Sequence, residues 1–153
     1  MKLKIFIMFL LGLLLLNACS RDSNGEFIKI IESNLDNKKI SIKDITEIKL
    51  DKFNIFTYQD SGYLYLFVFE KNKLVISDSM SKEELEINPQ WEYHENNQRE
   101  VYLISGGFKN KSVSSIMMNK TLIMPNIIRM NSYNIFFEIF DEKVSLPIDI
   151  TFN

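Results

Sequence analysis

The residues best suited to chemistry form one short polar and aromatic cluster, Trp91-Glu92-Tyr93-His94-Glu95. Its imidazole is the only histidine of the chain and stands between carboxylates. An enzymatic interpretation makes His94 a general base that Glu92 or Glu95 orients, as in a small hydrolase. The spacing of the sequence places no nucleophile beside it and defines no triad. We therefore predict a solvated, mobile loop over 93–99 and a protein that is not an enzyme.

Metal and phosphate sites are not predicted from the remaining polar residues. Zinc sites use histidine or cysteine at short spacing, and the chain has one of each. Four neighbouring acidic residues do not have the spacing of a calcium loop. These are Asp78, Glu83, Glu84 and Glu86. Ser105-Gly106-Gly107 lacks the Lys-Ser/Thr that ends a P-loop, so we predict a turn after a short strand over 101–104. The expectation is no metal and no cofactor.

Two apolar stretches are candidate partner surfaces. Alternation along a strand places Tyr63, Tyr65, Phe67 and Phe69 on one face. The segment 116–130 is rich in methionine, including Met117 and Met118, and methionine-rich surfaces adapt to partners. Each stretch has an alternative in core packing: the N-terminal helix covers the aromatic row, or the methionines fill the interior.

The elements that position these residues are one helix followed by strands. Phe27, Ile30, Ile31 and Leu35 recur at helical spacing, and Asp36-Asn37 ends the pattern. From about residue 46 the period becomes two. The apolar run 63–69 is apolar on both faces, which is typical of a central strand, and it returns as a hairpin to residue 77.

Two further elements complete the predicted domain. Ser81 and Glu84 fit a capping box before one or two helical turns. Alternating apolar residues over 144–152 predict a half-buried strand. Pro147 cannot donate a backbone hydrogen bond, so we predict that this strand lies at a sheet edge. A turn at Asp141-Glu142 is predicted to pair it with a preceding strand over 133–140. The predicted fold class is α+β: a short N-terminal helix packed on a mainly antiparallel β-sheet, for which a β-sandwich is one arrangement.

The N-terminus differs from the rest of the chain. Lys2 and Lys4 precede an apolar run over 5–16, which has the order of a signal peptide. Twelve residues are too few to cross a bilayer, since a spanning helix needs about 20. The sequence predicts a cleaved signal over 1–18, a tether over 19–26 and one β-rich domain over 27–153.

Leu16-Asn17-Ala18-Cys19 at the end of this run resembles the lipobox of bacterial lipoproteins. The resemblance implies that the thiol of Cys19 takes a diacylglyceryl group and that Cys19 begins the mature chain. It also implies a lipid anchor in the bacterial cell envelope, with Ser20 favouring the outer membrane, facing the periplasm, in a Gram-negative cell. An ordinary secretory signal is the alternative.

The net charge of the predicted mature chain limits the classes of partner that we expect. Without Lys2 and Lys4 it has 16 basic and 20 acidic residues, a net charge of −4. Nucleic acid is therefore not an expected partner, because phosphate contacts require a basic excess. The lipobox, this small acidic domain and the hairpin 63–76 together resemble small periplasmic lipoproteins that act as immunity proteins against secreted toxins. The resemblance implies a non-enzymatic protein-binding module. An accessory factor in envelope or secretion-complex assembly is the alternative.

Overall fold

The computed structural model describes residues 23–109 and 115–152. The chain divides into two compact units, Met1–Ile40 and Ser41–Asn153. The predicted signal, Cys19 and the start of the tether lie outside the described residues. None of the helices in the described ranges has the length and apolar character needed to cross a membrane.

The described part of the first unit is the predicted helix, α1 (Ser23–Asn34). It starts within the predicted tether and ends where the sequence indicates, because Asp36 and Asn37 adopt left-handed backbone angles with φ of 52° and 61°. The carboxylate of Glu32 then accepts a hydrogen bond from the Ile40 amide at 3.0 Å.

The second unit begins with a 3-10 turn (Ile42–Asp44) and a four-stranded antiparallel sheet in the order β1-β2-β3-β4. Its strands are β1 (Ile45–Lys49), β2 (Phe53–Gln59), β3 (Tyr63–Glu70) and β4 (Lys73–Ser81). The predicted hairpin is confirmed as β3 and β4, and β3 lies inside the sheet between β2 and β4. Asp60 shapes the turn before β3, since its Oδ1 accepts from the amides of Gly62 and Tyr63.

A short helix and a second four-stranded antiparallel sheet follow, in the order β5-β6-β10-β9. These elements are α2 (Lys82–Ile87), β5 (Gln90–Asn96), β6 (Val101–Lys109), β9 (Asn126–Met130) and β10 (Tyr133–Phe140). Ser81 precedes α2 as predicted, but its side chain makes no capping hydrogen bond.

Two loop predictions in this region are wrong in part: residues 97–99 of the loop predicted over 93–99 do form a turn, and the strand predicted over 101–104 is present but continues through the glycines. Residues 93–96 continue strand β5, an edge strand that places Trp91 and Tyr93 on one face and polar side chains on the other. The low apolar content of this strand therefore reflects its edge position. Gly106 and Gly107 lie inside β6, where a Cβ at Gly106 would stand 2.3 Å from the Gln90 carbonyl oxygen and 2.4 Å from the Phe136 ring.

A three-stranded antiparallel sheet in the order β11-β7-β8 contains the chain's last strand. Its strands are β7 (Ile116–Met118), β8 (Thr121–Ile123) and β11 (Ile150–Phe152). The predicted edge position of this strand is confirmed. Its predicted extent over 144–152 and its hairpin with 133–140 are wrong, because β6 and β9 already occupy both edges of β10.

Two clusters of buried apolar side chains join these sheets. The first combines residues of both four-stranded sheets, such as Leu66, Val68, Leu103 and Phe137. The second lies on the other face of the β5–β6–β10–β9 sheet and includes Ile116 and Met118 of the third sheet. The described chain is thus mainly antiparallel β-sheet with few helices, which confirms the fold class in this coarser form.

Candidate functional site

Three polar residues that are distant in sequence meet where β4 lies beside β5 and β6. Asp78 projects from β4, His94 from β5 and Ser105 from β6. The Ser105 hydroxyl donates to Asp78 Oδ2 at 2.6 Å. His94 Nε2 lies 3.1 Å from Ser105 Oγ and 3.3 Å from Asp78 Oδ2. We call Asp78, His94, Ser105 and the neighbouring Glu92 the seam cluster.

The backbone register explains why these side chains converge. Ser105 pairs with Glu92 and Leu103 pairs with His94 across β5 and β6, so Glu92 and His94 share the face that carries Leu103. Leu66 pairs with Asp78 across β3 and β4, which places Asp78 on the face of the first apolar cluster. The two sheets thus present the four side chains toward each other.

The seam cluster contains the residue types of a serine hydrolase triad without its geometry. In a triad the imidazole contacts the serine through one nitrogen and the carboxylate through the other. Here Ser105 Oγ and Asp78 Oδ2 both face Nε2 of His94. Ser105 is also fully buried and donates its proton to the carboxylate. The arrangement favours a polar link between sheets over nucleophilic catalysis.

The electrostatics of the seam cluster favour its charged form. Burial raises the pKa of Asp78, but the hydrogen bonds of its carboxylate with His94 and Ser105 outweigh burial and bring that pKa below its usual value. Burial lowers the pKa of His94, but the Asp78 hydrogen bond and the charges of Asp78 and Glu92 together raise it by more, so the net shift is upward. The two shifts are those of an ion pair, and each favours the charged form of its own side chain.

Further side-chain contacts cross the same seam. The Asn96 amide donates to the Val75 carbonyl at 2.9 Å, and the Arg99 guanidinium lies 2.9 Å from a Glu70 carboxylate oxygen. β4 and β5 are edge strands of separate sheets, and no backbone ladder joins them. Side chains therefore provide the polar links between these two edges.

The aromatic candidates on β3 separate into exposed and buried residues. Tyr63 is 47% exposed, whereas Tyr65 is half-buried and donates its hydroxyl to Asp60 at 3.2 Å. Phe67 and Phe69 are buried. Of the predicted row, only its first residue therefore offers substantial surface to a partner, and the role of Tyr63 and Tyr65 in binding stays a prediction.

The methionine candidates lie on opposite faces of the third sheet. Met118 is buried in the second apolar cluster. Met117 pairs with Leu122 and with Thr151, so these three share the other face. Leu122 is 55% exposed and Met124, just after β8, is 75% exposed. We call Met117, Leu122 and Met124 the outer apolar strip.

Comparisons with known proteins add no relative. No family model matches the chain, and neither a curated protein nor a solved structure matches it. Arguments about function therefore depend on the residues and the geometry of this chain.

Sequence reasoning found His94 and Glu92 but missed two members of the seam cluster. Asp78 lies 16 positions before His94, and Ser105 lies 11 positions after it, in a segment that was predicted to be a turn. One signal was present: Asp78 stands at an inward position of the alternating strand Leu74-Val75-Ile76-Ser77-Asp78-Ser79-Met80. A carboxylate on an apolar face indicates a partner.

Proposed function

We propose that this protein is a lipid-anchored lipoprotein of the bacterial cell envelope whose folded domain binds another protein and performs no chemistry. The observation that carries the proposal is Leu16-Asn17-Ala18-Cys19, in which the only cysteine of the chain follows the apolar run of the signal. A thioether-linked diacylglyceryl group on Cys19 supplies more than one acyl chain, and stable anchoring requires that.

The geometry of the seam cluster argues against a serine hydrolase. Its serine hydroxyl is buried and hydrogen-bonded to the carboxylate, so a substrate carbonyl has no route to it in this arrangement. The arrangement of the sheets is also part of what we propose. We infer that the two four-stranded sheets form a β-sandwich, as their shared apolar cluster suggests.

The outer apolar strip is the surface we assign to the partner. Exposed Leu122 and Met124 follow Lys120, which is also exposed. The stretch 101–137 contains Lys109, Lys111, Lys120 and Arg129 and no acidic residue, although the whole chain is acidic. The exposed Lys120 beside the strip fits a protein partner that presents an acidic residue next to an apolar surface.

We assign this partner to the secreted toxins, which makes the protein an immunity protein held at the membrane where a toxin arrives. Its resemblance to small periplasmic lipoproteins of that kind supports the assignment. The alternative function is an accessory factor in envelope or secretion-complex assembly. It is favoured by the outer edge of β11, which pairs with no other strand of the described residues and to which a strand of a partner complex can add.

The binding proposal is tested with the full-length protein in detergent, tagged and exposed to secreted and envelope fractions of the native organism. We expect one small secreted enzyme to be retained at near-equal stoichiometry by the unmodified protein. Leu122→Asp places a charge in the outer apolar strip and should abolish retention. Ile87→Asp is the matched control, since Ile87 is 76% exposed on α2, and it should retain the enzyme.

Other outcomes would overturn the proposal. Retention of a large membrane complex would support the assembly factor. Retention that Leu122→Asp leaves unchanged would remove the outer apolar strip as the docking surface. His94→Ala tests the hydrolase alternative: a folded variant that keeps both its partner and its cellular phenotype would exclude a hydrolase that depends on His94.

The lipid anchor has a separate test. Cys19→Ser removes the thiol that forms the thioether, so we expect no incorporation of labelled fatty acid and an uncleaved precursor. Ser20→Ala is the control and should be labelled and processed. Normal processing of Cys19→Ser would indicate an ordinary secretory signal.

A further inference from the structure

The seam cluster contains more ligating groups than a link between two sheets requires. The hydrogen bonds among Asp78, His94 and Ser105 form a complete polar network. Glu92 is outside that network, yet it brings a second carboxylate to the same imidazole. One ligand atom each from Asp78, Glu92 and His94 lies within 4.8 Å of the others.

We propose that Asp78, Glu92 and His94 form a binding site for a divalent transition-metal ion, with Zn²⁺ as the ion that fits best. This inference does not depend on the proposed function. A metal at the seam would join an edge strand of one sheet to an edge strand of the other.

The distances fit the coordination of zinc. Zinc bonds of about 2.0 to 2.2 Å to nitrogen and oxygen place two tetrahedral ligands about 3.4 Å apart. Asp78 Oδ2 and His94 Nε2 are 3.3 Å apart, so this pair already has the required separation. Glu92 is exposed, and its carboxylate oxygen lies within 4.8 Å of the other two ligand atoms, so binding requires that it move closer to the ion.

The surroundings of the three ligands also fit a metal site. Glu92 and His94 alternate on one strand and therefore project from the same face, while Asp78 faces them from the neighbouring sheet. The Ser105 hydroxyl holds the Asp78 carboxylate in place, as the outer partners of metal ligands do. The exposed Glu92 side leaves a fourth coordination position open to water.

The donor set selects the class of ion. Imidazole nitrogen is a preferred ligand of zinc and other first-row transition metals, and zinc also accepts carboxylate oxygen. Calcium and magnesium prefer sites built from oxygen alone. Binding requires that Nε2 of His94 carry no proton, because the ligating nitrogen donates its lone pair to the metal.

The test is titration of chelator-treated full-length protein in detergent with ZnCl₂ at pH 8, followed by calorimetry. Co²⁺ is titrated in parallel, with its visible absorption as the readout. We expect one saturable site per chain, a visible Co²⁺ spectrum and a rise in the thermal unfolding midpoint with Zn²⁺. Glu92→Gln should weaken binding by at least about tenfold, since even outer partners of metal ligands have effects of that size.

Glu92→Gln is the decisive variant because Glu92 is exposed and takes no part in the hydrogen bonds of Asp78, so its metal-free fold should be unchanged. Glu95→Gln is the matched control: it removes an exposed carboxylate from the same strand, on the opposite face, and should bind zinc with unchanged affinity. The proposal is overturned by the absence of saturable binding, or by zinc binding that Glu92→Gln leaves unchanged.

Discussion

Gly106 is the position where a single added methyl group should cost the most stability. It lies in the middle of β6, and its ideal Cβ would meet the Gln90 carbonyl oxygen at 2.3 Å and the Phe136 ring at 2.4 Å. The carbonyl belongs to the neighbouring strand β5, and Phe136 pairs with Gly106 on β10. The carbonyl cannot move away without disturbing the ladder, and the ring is fully buried in the second apolar cluster.

The expected magnitude of Gly106→Ala follows from these contacts. Overpacking a core typically costs about 1 to 3 kcal/mol, and a backbone contact this short belongs at the upper end. Restriction of the unfolded chain by alanine returns about 0.4 to 1 kcal/mol. The net loss in the free energy of unfolding is therefore about 2 kcal/mol. With a urea slope of about 2 kcal/mol/M, the midpoint falls by about 1 M.

Two other glycines make this a graded experiment. A Cβ at Gly107 would meet the side-chain ends of Leu85 and Met80, at 2.9 and 3.1 Å, and these can turn aside. A Cβ at Gly62 would meet nothing closer than 3.9 Å. Urea unfolding should rank Gly106→Ala as least stable, Gly107→Ala next and Gly62→Ala closest to the unmodified protein. A Gly106→Ala midpoint equal to that of Gly62→Ala would refute the reasoning.

Two further predictions concern buried polar groups. Thr57 Oγ1 is buried and has no hydrogen-bond partner among the residues that the structure describes, so Thr57→Val should raise the free energy of unfolding by about 1 kcal/mol. A loss of stability in urea would show that the hydroxyl is satisfied. Burial raises the pKa of Glu138, so the folded protein binds the Glu138 proton more tightly than the unfolded chain does. The folded protein therefore loses stability as the pH rises through that raised pKa. Glu138→Gln should therefore be more stable than the unmodified protein at pH 7 but not at pH 4. Thermal unfolding at the two pH values measures this. The same difference in unfolding midpoint at both pH values would contradict the prediction.

Local patterns in the sequence were enough to predict the early elements. The helical spacing of Phe27 and Ile31 predicted α1, and the two-faced apolar run after Gly62 predicted β3 inside a sheet. Both signals are local, because a helix and a hairpin are built from neighbours in the chain. The signal and Cys19 likewise follow from residue order alone, and they stay predictions.

Only the tertiary structure determined which strands pair and which distant side chains meet. Polar β5 is a strand because β6 supplies its ladder, and Gly106 is a strand residue because the Gln90 carbonyl and the Phe136 ring fill the space of a side chain. The last strand pairs with β7, since both edges of β10 are occupied. The seam cluster was beyond sequence reasoning for the same reason: Asp78, His94 and Ser105 meet only when two sheets pack, and no local pattern encodes that distance.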